Sequence, residues 1–153
     1  MIIIEKFLDK ETCSELIEWY ETKAEKIVWA EEVEVARLYE NSEKYENIKK
    51  LFFHLNKFGI ENLGQYHYIQ NLEIAKRDPG IGMTIHTDYP PHAFTLVCFL
   101  NDNFSGGEAI VQDTYIEAEI GKAVYFRGNS IEHGVNVVRD NPRYALLCWW
   151  TQI

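Results

Sequence analysis

The chain has 153 residues, enough for one ordinary domain that buries a core without disulfide staples. Hydrophobic residues make up 46% and charged residues 25%, the balance of a globular chain rather than a disordered one. Acidic residues outnumber basic ones 24 to 15, for a net charge of -9, and no Lys/Arg-rich run occurs, which speaks against non-specific nucleic-acid binding.

The first residues form a short apolar strand, 2–7. They lack the basic-then-apolar layout of a signal peptide, and no apolar run reaches transmembrane length, so the expected location is the cytoplasm. Asp9 is placed to cap a helix whose stripe is Leu16, Ile17, Trp19 and Tyr20. The Glu-rich segment 30–40 has weak periodicity and reads as a loop or short strand. A second helix is expected over 42–58, with Tyr45, Ile48, Leu51, Phe52, Leu55 and Phe58 on one side and Gly59 and Gly64 marking its end. His54 on that helix reads as packed or surface-exposed.

From Tyr66 onward, short β-branched and aromatic runs alternate with turn clusters. Strands are expected at 66–76, 83–87, 94–100, 108–112, 115–119, 123–127, 133–138 and 143–151. Eight short strands at this spacing indicate a sandwich or jelly roll. The fold class is therefore mainly β with N-terminal helices: one domain over 1–153, with a helical part at 1–65 and a jelly-roll core at 66–153. Cys13, Cys98 and Cys148 are an odd, widely spaced set without CxxC, which argues against a disulfide framework or a zinc cluster; Cys98 and Cys148 read as small core residues.

Phosphate-binding GxxxxGK[ST], GxSxG and HExxH motifs are absent. What remains is His86-Thr87-Asp88. Alternate residues of a strand share a face, so an imidazole and a carboxylate project side by side. His133, on a later strand, is the candidate third ligand. Two histidines and one carboxylate leave open positions on a metal, the arrangement of non-haem Fe(II) oxygenases. Arg143 opens the strand Arg-Tyr-Ala-Leu-Leu-Cys-Trp-Trp. An arginine there is costly unless it pairs with an anion, and beside the His133 strand it can hold a carboxylate by a bidentate pair. Metal and arginine together describe a site for a 2-oxo acid with a distal carboxylate.

The stretch from about Leu72 to Trp150 resembles the 2-oxoglutarate/Fe(II)-dependent dioxygenases, in particular their prolyl 4-hydroxylase-like branch. The resemblance rests on elements in order: His86-x-Asp88, Cys98-Phe99-Leu100-Asn101, Gly106-Gly107-Glu108, Gly121-Lys122-Ala123 leading to Phe126, His133-Gly134-Val135, and Arg143-Tyr144-Ala145 with Trp149. It implies a double-stranded β-helix core, His86, Asp88 and His133 as iron ligands, and Arg143 as partner of the 2-oxoglutarate C5 carboxylate. Fe(II), 2-oxoglutarate and dioxygen are the implied cofactor and cosubstrates, with ascorbate a further candidate. Strand parity puts Ala145, Leu147 and Trp149 on the Arg143 face, so Trp149 is expected to line the site. Two positions depart from the family pattern: Arg77 stands where relatives often have a tyrosine, and Phe99 replaces a tyrosine that helps hold the cosubstrate in some of them. Arg77 is thereby a candidate contact to a carboxylate of cosubstrate or substrate.

The expected activity is hydroxylation of a peptidyl substrate, a prolyl residue first among the candidates, or of a small amino-acid-like molecule, with release of succinate and carbon dioxide. The presence of Asp88 favours hydroxylation over halogenation. Alternatives are a cupin-like, non-redox metal protein, a nucleic-acid demethylase of the same superfamily, against which the charge argues, and a non-catalytic jelly-roll module. No membrane partner is expected, and the oligomeric state stays open. His92 is expected in a loop bordering the cavity, and Glu31, Glu32 and Glu34 read as a solvated face. The segment 30–42 and the loop after Asp88 are candidate covers for the substrate.

Overall fold

Two long strands near the middle and end of the chain organise everything else, because their alternate residues serve two different interiors. A computed structural model describes residues 1–38, 41 and 43–153; Tyr39, Glu40 and Ser42, which the sequence reading puts in the Glu-rich segment and at the start of the second helix, lie outside the described residues. The elements are β1 (Ile2–Ile4), α1 (Lys10–Thr22), β2 (Ile27–Val28), β3 (Glu34–Arg37), α2 (Glu46–Leu63), β4 (His67–Arg77), β5 (Met83–His86), β6 (His92–Phe99), β7 (Ser105–Gly106), β8 (Ala109–Val111), β9 (Thr114–Ile116), β10 (Ala123–Phe126), β11 (His133–Val135), β12 (Val138–Arg139) and β13 (Arg143–Gln152).

A major sheet has the order β1-β10-β6-β13-β4-β3-β2; a minor sheet has the order β5-β11-β8-β9; β12 and β7 pair separately. Every pairing is antiparallel. Phe99, Val124 and Phe126 of the major sheet form one apolar cluster with Ala109, Val111 and Ile116 of the minor sheet, so the two sheets pack face to face as a jelly roll. The other face of the major sheet is covered by the helices. Leu16, Trp19 and Tyr20 of α1 and Ile48, Leu51 and Leu55 of α2 are buried with Leu72, Ile74, Leu146, Cys148 and Trp150.

Strand parity assigns these faces. On β13, Leu146, Cys148 and Trp150 pack under the helices, while Arg143, Leu147 and Trp149 line a cavity between the sheets. The cap expected for α1 is present: the Asp9 side chain accepts from the Thr12 backbone N–H at 2.7 Å. All three cysteines are buried and unpaired. No helix among the described residues is long and apolar enough to cross a membrane.

Several boundaries differ from the sequence reading, most by a few residues and these by more. The first strand stops at Ile4, and α2 runs over Glu46–Leu63 instead of ending at Phe58. Gly59 is not a terminator; it lies buried inside α2, where a Cβ would come within 2.6 Å of Trp150 Nε1, so it lets the helix approach β13. The expected strand 133–138 is two strands, β11 in the minor sheet and β12 beside β7. Between them, the Asn136 side chain bonds Glu108 Oε2 at 2.8 Å and accepts from the Val137 N–H, which ends the first ladder. Within 30–40, a single helical turn at Ala30–Glu32 precedes β3, which joins the major sheet beside β4.

Candidate metal centre and adjoining cavity

His86 ends β5 and His133 begins β11, and the two are register partners across these antiparallel strands. Their rings lie 4.5 Å apart between centroids. Asp88, just beyond β5, turns back to the same point: its Oδ1 is 3.1 Å from His133 Nε2 and 3.5 Å from His86 Nε2. One ligand atom from each residue falls within 4.8 Å of the others.

The hydrogen-bond pattern tests whether this cluster suits a metal. Nδ1 of His86 lies 2.8 Å from Thr84 O, and Nδ1 of His133 lies 2.8 Å from Ile131 O. A carbonyl only accepts, so each neutral ring carries its hydrogen on Nδ1 and leaves a lone pair on Nε2. Both lone pairs then meet a carboxylate oxygen, an arrangement that repels itself until a cation stands between them. A proton is the minimal such cation, and the hydrogen bond to Asp88 accordingly raises the His86 pKa. Backbone-oriented imidazoles plus a carboxylate are the donors and outer contacts that hold a divalent metal.

Asp88 is held from its far side. Burial alone would raise its pKa, but hydrogen bonds with His133, His86 and Thr95 outweigh burial and keep it well below the usual carboxylate range. Thr95 Oγ1 and Trp149 Nε1 both donate to Asp88 Oδ2, the latter at 3.2 Å. Trp149 thus lines the site, as strand parity implies, and also orients the acid. Thr95 and Gly128 were not legible as site residues. A Cβ on Gly128 would fall 2.0 Å from Thr95 Oγ1 and 2.3 Å from Asp88 Oδ2, so the absence of a side chain there makes room for the contact. A threonine inside an apolar strand run, Phe-Thr-Leu-Val, is the one local signal that the sequence offers.

Behind the triad lies a cavity of about 60 Å3, walled by apolar residues including Val97, Val111, Phe126 and Leu147. Arg143 is fully buried on its wall. Its Nε donates to Gly107 O at 2.8 Å, and its two terminal nitrogens, Nη1 and Nη2, have no partner among the described residues. Phe99 does not line the cavity; its ring lies 5.1 Å from the Arg143 guanidinium carbon and supports it from behind. Arg77, the register partner of Arg143, is 1% exposed and lines the same cavity. The cavity adjoins an outer cleft bordered by Trp29, Glu31, Glu73, Arg77, Met83 and Trp149. Glu31 is not merely solvated: its carboxylate accepts from Thr84 Oγ1 at 2.8 Å and from the Thr84 N–H at 3.3 Å, tying the 30–32 turn to the strand that carries His86. His92 begins β6 rather than sitting in a loop, and packs against Trp149 at 5.7 Å between centroids. His54 packs on Phe7, in keeping with a structural role.

No family model matches the chain. A PKHD-type hydroxylase of Caulobacter sp. (strain K31) is 29% identical over 100 residues, covering 61% of this chain and 40% of that protein. The chain thus spans about two-fifths of the length of the curated relatives it matches. A crystal structure of a Pseudomonas putida prolyl-4-hydroxylase is similar with a TM-score of 0.83 at 15% identity, covering 99% of this chain and 92% of that one. A 2OG-Fe(II) oxygenase family oxidoreductase from Burkholderia pseudomallei gives 0.78 at 17% identity, over 98% of this chain and 84% of that one. The chain therefore shares the fold of 2OG-Fe(II) oxygenases and prolyl hydroxylases and resembles PKHD-type hydroxylases in sequence, as its motifs imply.

Proposed function

We propose that the chain is a 2-oxoglutarate- and Fe(II)-dependent hydroxylase in which residues 1–153 act as one catalytic unit. His86, Asp88 and His133 are the metal ligands, and Arg143 anchors the distal carboxylate of 2-oxoglutarate. The observation that carries this reading is the convergence of three acceptor atoms on one point beside a cavity that holds a buried guanidinium with two unpartnered nitrogens. The likeness to hydroxylases in sequence and to oxygenases in fold supports it.

When bound, Fe(II), 2-oxoglutarate and dioxygen supply the oxidation, yielding succinate, carbon dioxide and a hydroxylated substrate. The protein supplies binding, orientation and exclusion of water. Backbone carbonyls at Thr84 and Ile131 fix both imidazoles so that Nε2 faces inward. Thr95 and Trp149 engage one oxygen of Asp88 and leave the other facing the histidines. Arg143, held by Gly107 O, keeps two N–H groups for a carboxylate, and the apolar walls strengthen that charge pairing by excluding water. The outer cleft, with Trp29 and Trp149 on its rim, is the place for substrate, a peptidyl residue such as proline or an amino-acid-like molecule. Three buried, unpaired thiols suit the reducing cytosol.

An anaerobic absorbance titration tests the reading: apoprotein, then Fe(II), then 2-oxoglutarate. A visible iron-to-2-oxoglutarate charge-transfer band is expected, lost in His86→Ala and requiring far more 2-oxoglutarate in Arg143→Ala. Folded, iron-loaded protein without the band would overturn the oxygenase assignment and favour a non-redox metal protein. Succinate release with and without ascorbate then tests the reductant.

A further inference from the structure

Arg77 and Arg143 stand opposite each other on β4 and β13, the central pair of the major sheet. Register partners in an antiparallel pair have Cα atoms about 4.5–5.5 Å apart and project to the same face. Both side chains are almost wholly buried, at 1% and 0% exposure, and both line the cavity behind the metal ligands. Among the described residues, Arg77 Nε and Arg143 Nη1 and Nη2 have no hydrogen-bond partner. Among the described residues, no carboxylate comes within ion-pair distance of either guanidinium. The remaining contact of Arg77, Nη2 to Met83 Sδ at 3.8 Å, offers a weak acceptor and no charge.

Two like charges buried side by side are destabilising, and burial without an anion compounds the cost. Glu73, on the same face of β4, and Glu31 relieve it only in part: both act on Arg77 from beyond ion-pair distance, and burial still pushes its pKa down to about 10. Glu73 is 6% exposed, and burial pushes its pKa up to about 7, with Asn71, Arg37 and Arg77 lowering it only in part. A carboxylate paired with a guanidinium would be shifted the other way. Burial pushes Arg143 down to about 9, with Arg77's charge adding to the effect.

We propose that Arg77 and Arg143 form a paired guanidinium clamp that takes the distal carboxylate of the bound 2-oxo dicarboxylate between them, which makes Arg77 a second cosubstrate-binding residue of this chain. This deepens the function proposed above and rests on it. The departures from the family pattern are thereby linked. Phe99 has no hydroxyl to offer a carboxylate and sits behind Arg143, while Arg77 brings donors to the same cavity from the neighbouring strand. The carboxylate accepts from both guanidiniums and spreads one negative charge over two cations.

The experiment is calorimetric titration of the full chain loaded with Mn(II), which binds without turnover. The probes are 2-oxoglutarate and 2-oxobutyrate, a 2-oxo acid that lacks the distal carboxylate. Wild type is compared with Arg77→Met, Arg77→Lys and Arg143→Met. Arg77→Met is expected to weaken 2-oxoglutarate about 10- to 100-fold, the range for charged hydrogen bonds, with 2-oxobutyrate unchanged within about two-fold. Arg77→Lys is expected to keep part of the affinity, because it keeps the charge but not the fork. Ligand-free Arg77→Met is expected to melt at or above wild type, since a buried like charge is gone. Unchanged 2-oxoglutarate affinity in Arg77→Met, with loss in Arg143→Met, would remove Arg77 from the clamp and leave the proposed function standing. Equal loss with both probes, or a lower ligand-free melting temperature, would make Arg77 a scaffold residue. No binding of 2-oxoglutarate by wild type would instead overturn the proposed function itself.

Discussion

Two pairs of identical residues line one cavity, each pair set across neighbouring antiparallel strands. His86 and His133 sit on the minor sheet and have Asp88 between them; Arg77 and Arg143 sit on the major sheet and, among the described residues, have no acid within ion-pair distance. The histidine pair is finished by the protein: its outer nitrogens are bonded to backbone and its acid is anchored by Thr95 and Trp149. The arginine pair is unfinished, with three guanidinium nitrogens that have no partner among the described residues. Acceptors gathered around a point call for a cation, and donors left bare call for an anion. The difference between the sheets therefore describes a ligand pair, metal on one side and carboxylate on the other.

The largest effect is expected from removing the acid of the completed pair. Asp88→Ala should weaken Fe(II) binding more than about 100-fold in an anaerobic titration, exceeding the loss typical of a group that only orients a ligand. Retained tight binding would show that the metal does not sit among these three residues. Gly128→Ala attacks the same acid through space: the new methyl displaces Thr95 or Asp88, and metal affinity should fall about 10- to 100-fold with the fold intact by circular dichroism. Trp149→Phe removes one donor and keeps the ring. About a 10-fold loss of metal affinity is expected, and no change would leave the indole as cavity wall only.

Glu73→Gln sharpens the other side of the comparison and leaves the metal site untouched. Because the folded pKa, about 7, lies above the ordinary 4.5, the folded protein holds more protons than the unfolded chain between these values. Stability should therefore fall as pH rises from about 4.5 to about 7, by up to about 3 kcal/mol. In Glu73→Gln that part of the slope should vanish in denaturant melts, with metal affinity unchanged. A slope of the opposite sign would mean that Glu73 is ion-paired and that Arg77 has a counterion after all.

Much of this was written locally. Two-residue alternation put Arg143, Leu147 and Trp149 on one face without knowledge of the sheet, whereas Asp88 meets His86 by turning back from beyond the end of β5 rather than by strand alternation. The jelly-roll class followed from the strand spacing and turn residues. What escaped local reading depends on contacts between distant segments. Gly59 looks like a helix stop in sequence, but its job is to admit Trp150 from β13. The split of 133–138 is decided by Asn136 bonding to Glu108. Thr95 and Gly128 matter because three loops and strands meet at Asp88, and no periodicity records that meeting.

The bond from Trp149 to Asp88 has an optical consequence. Of the four tryptophans, Trp19 and Trp150 are buried under the helices and Trp29 borders the outer cleft, so Trp149 alone shares a hydrogen with the acid of the triad. Charge drawn from that carboxylate alters the field at the indole nitrogen. The emission of the native protein minus that of Trp149→Phe is thus a built-in gauge of occupancy, readable without a dye, a label or a turnover assay.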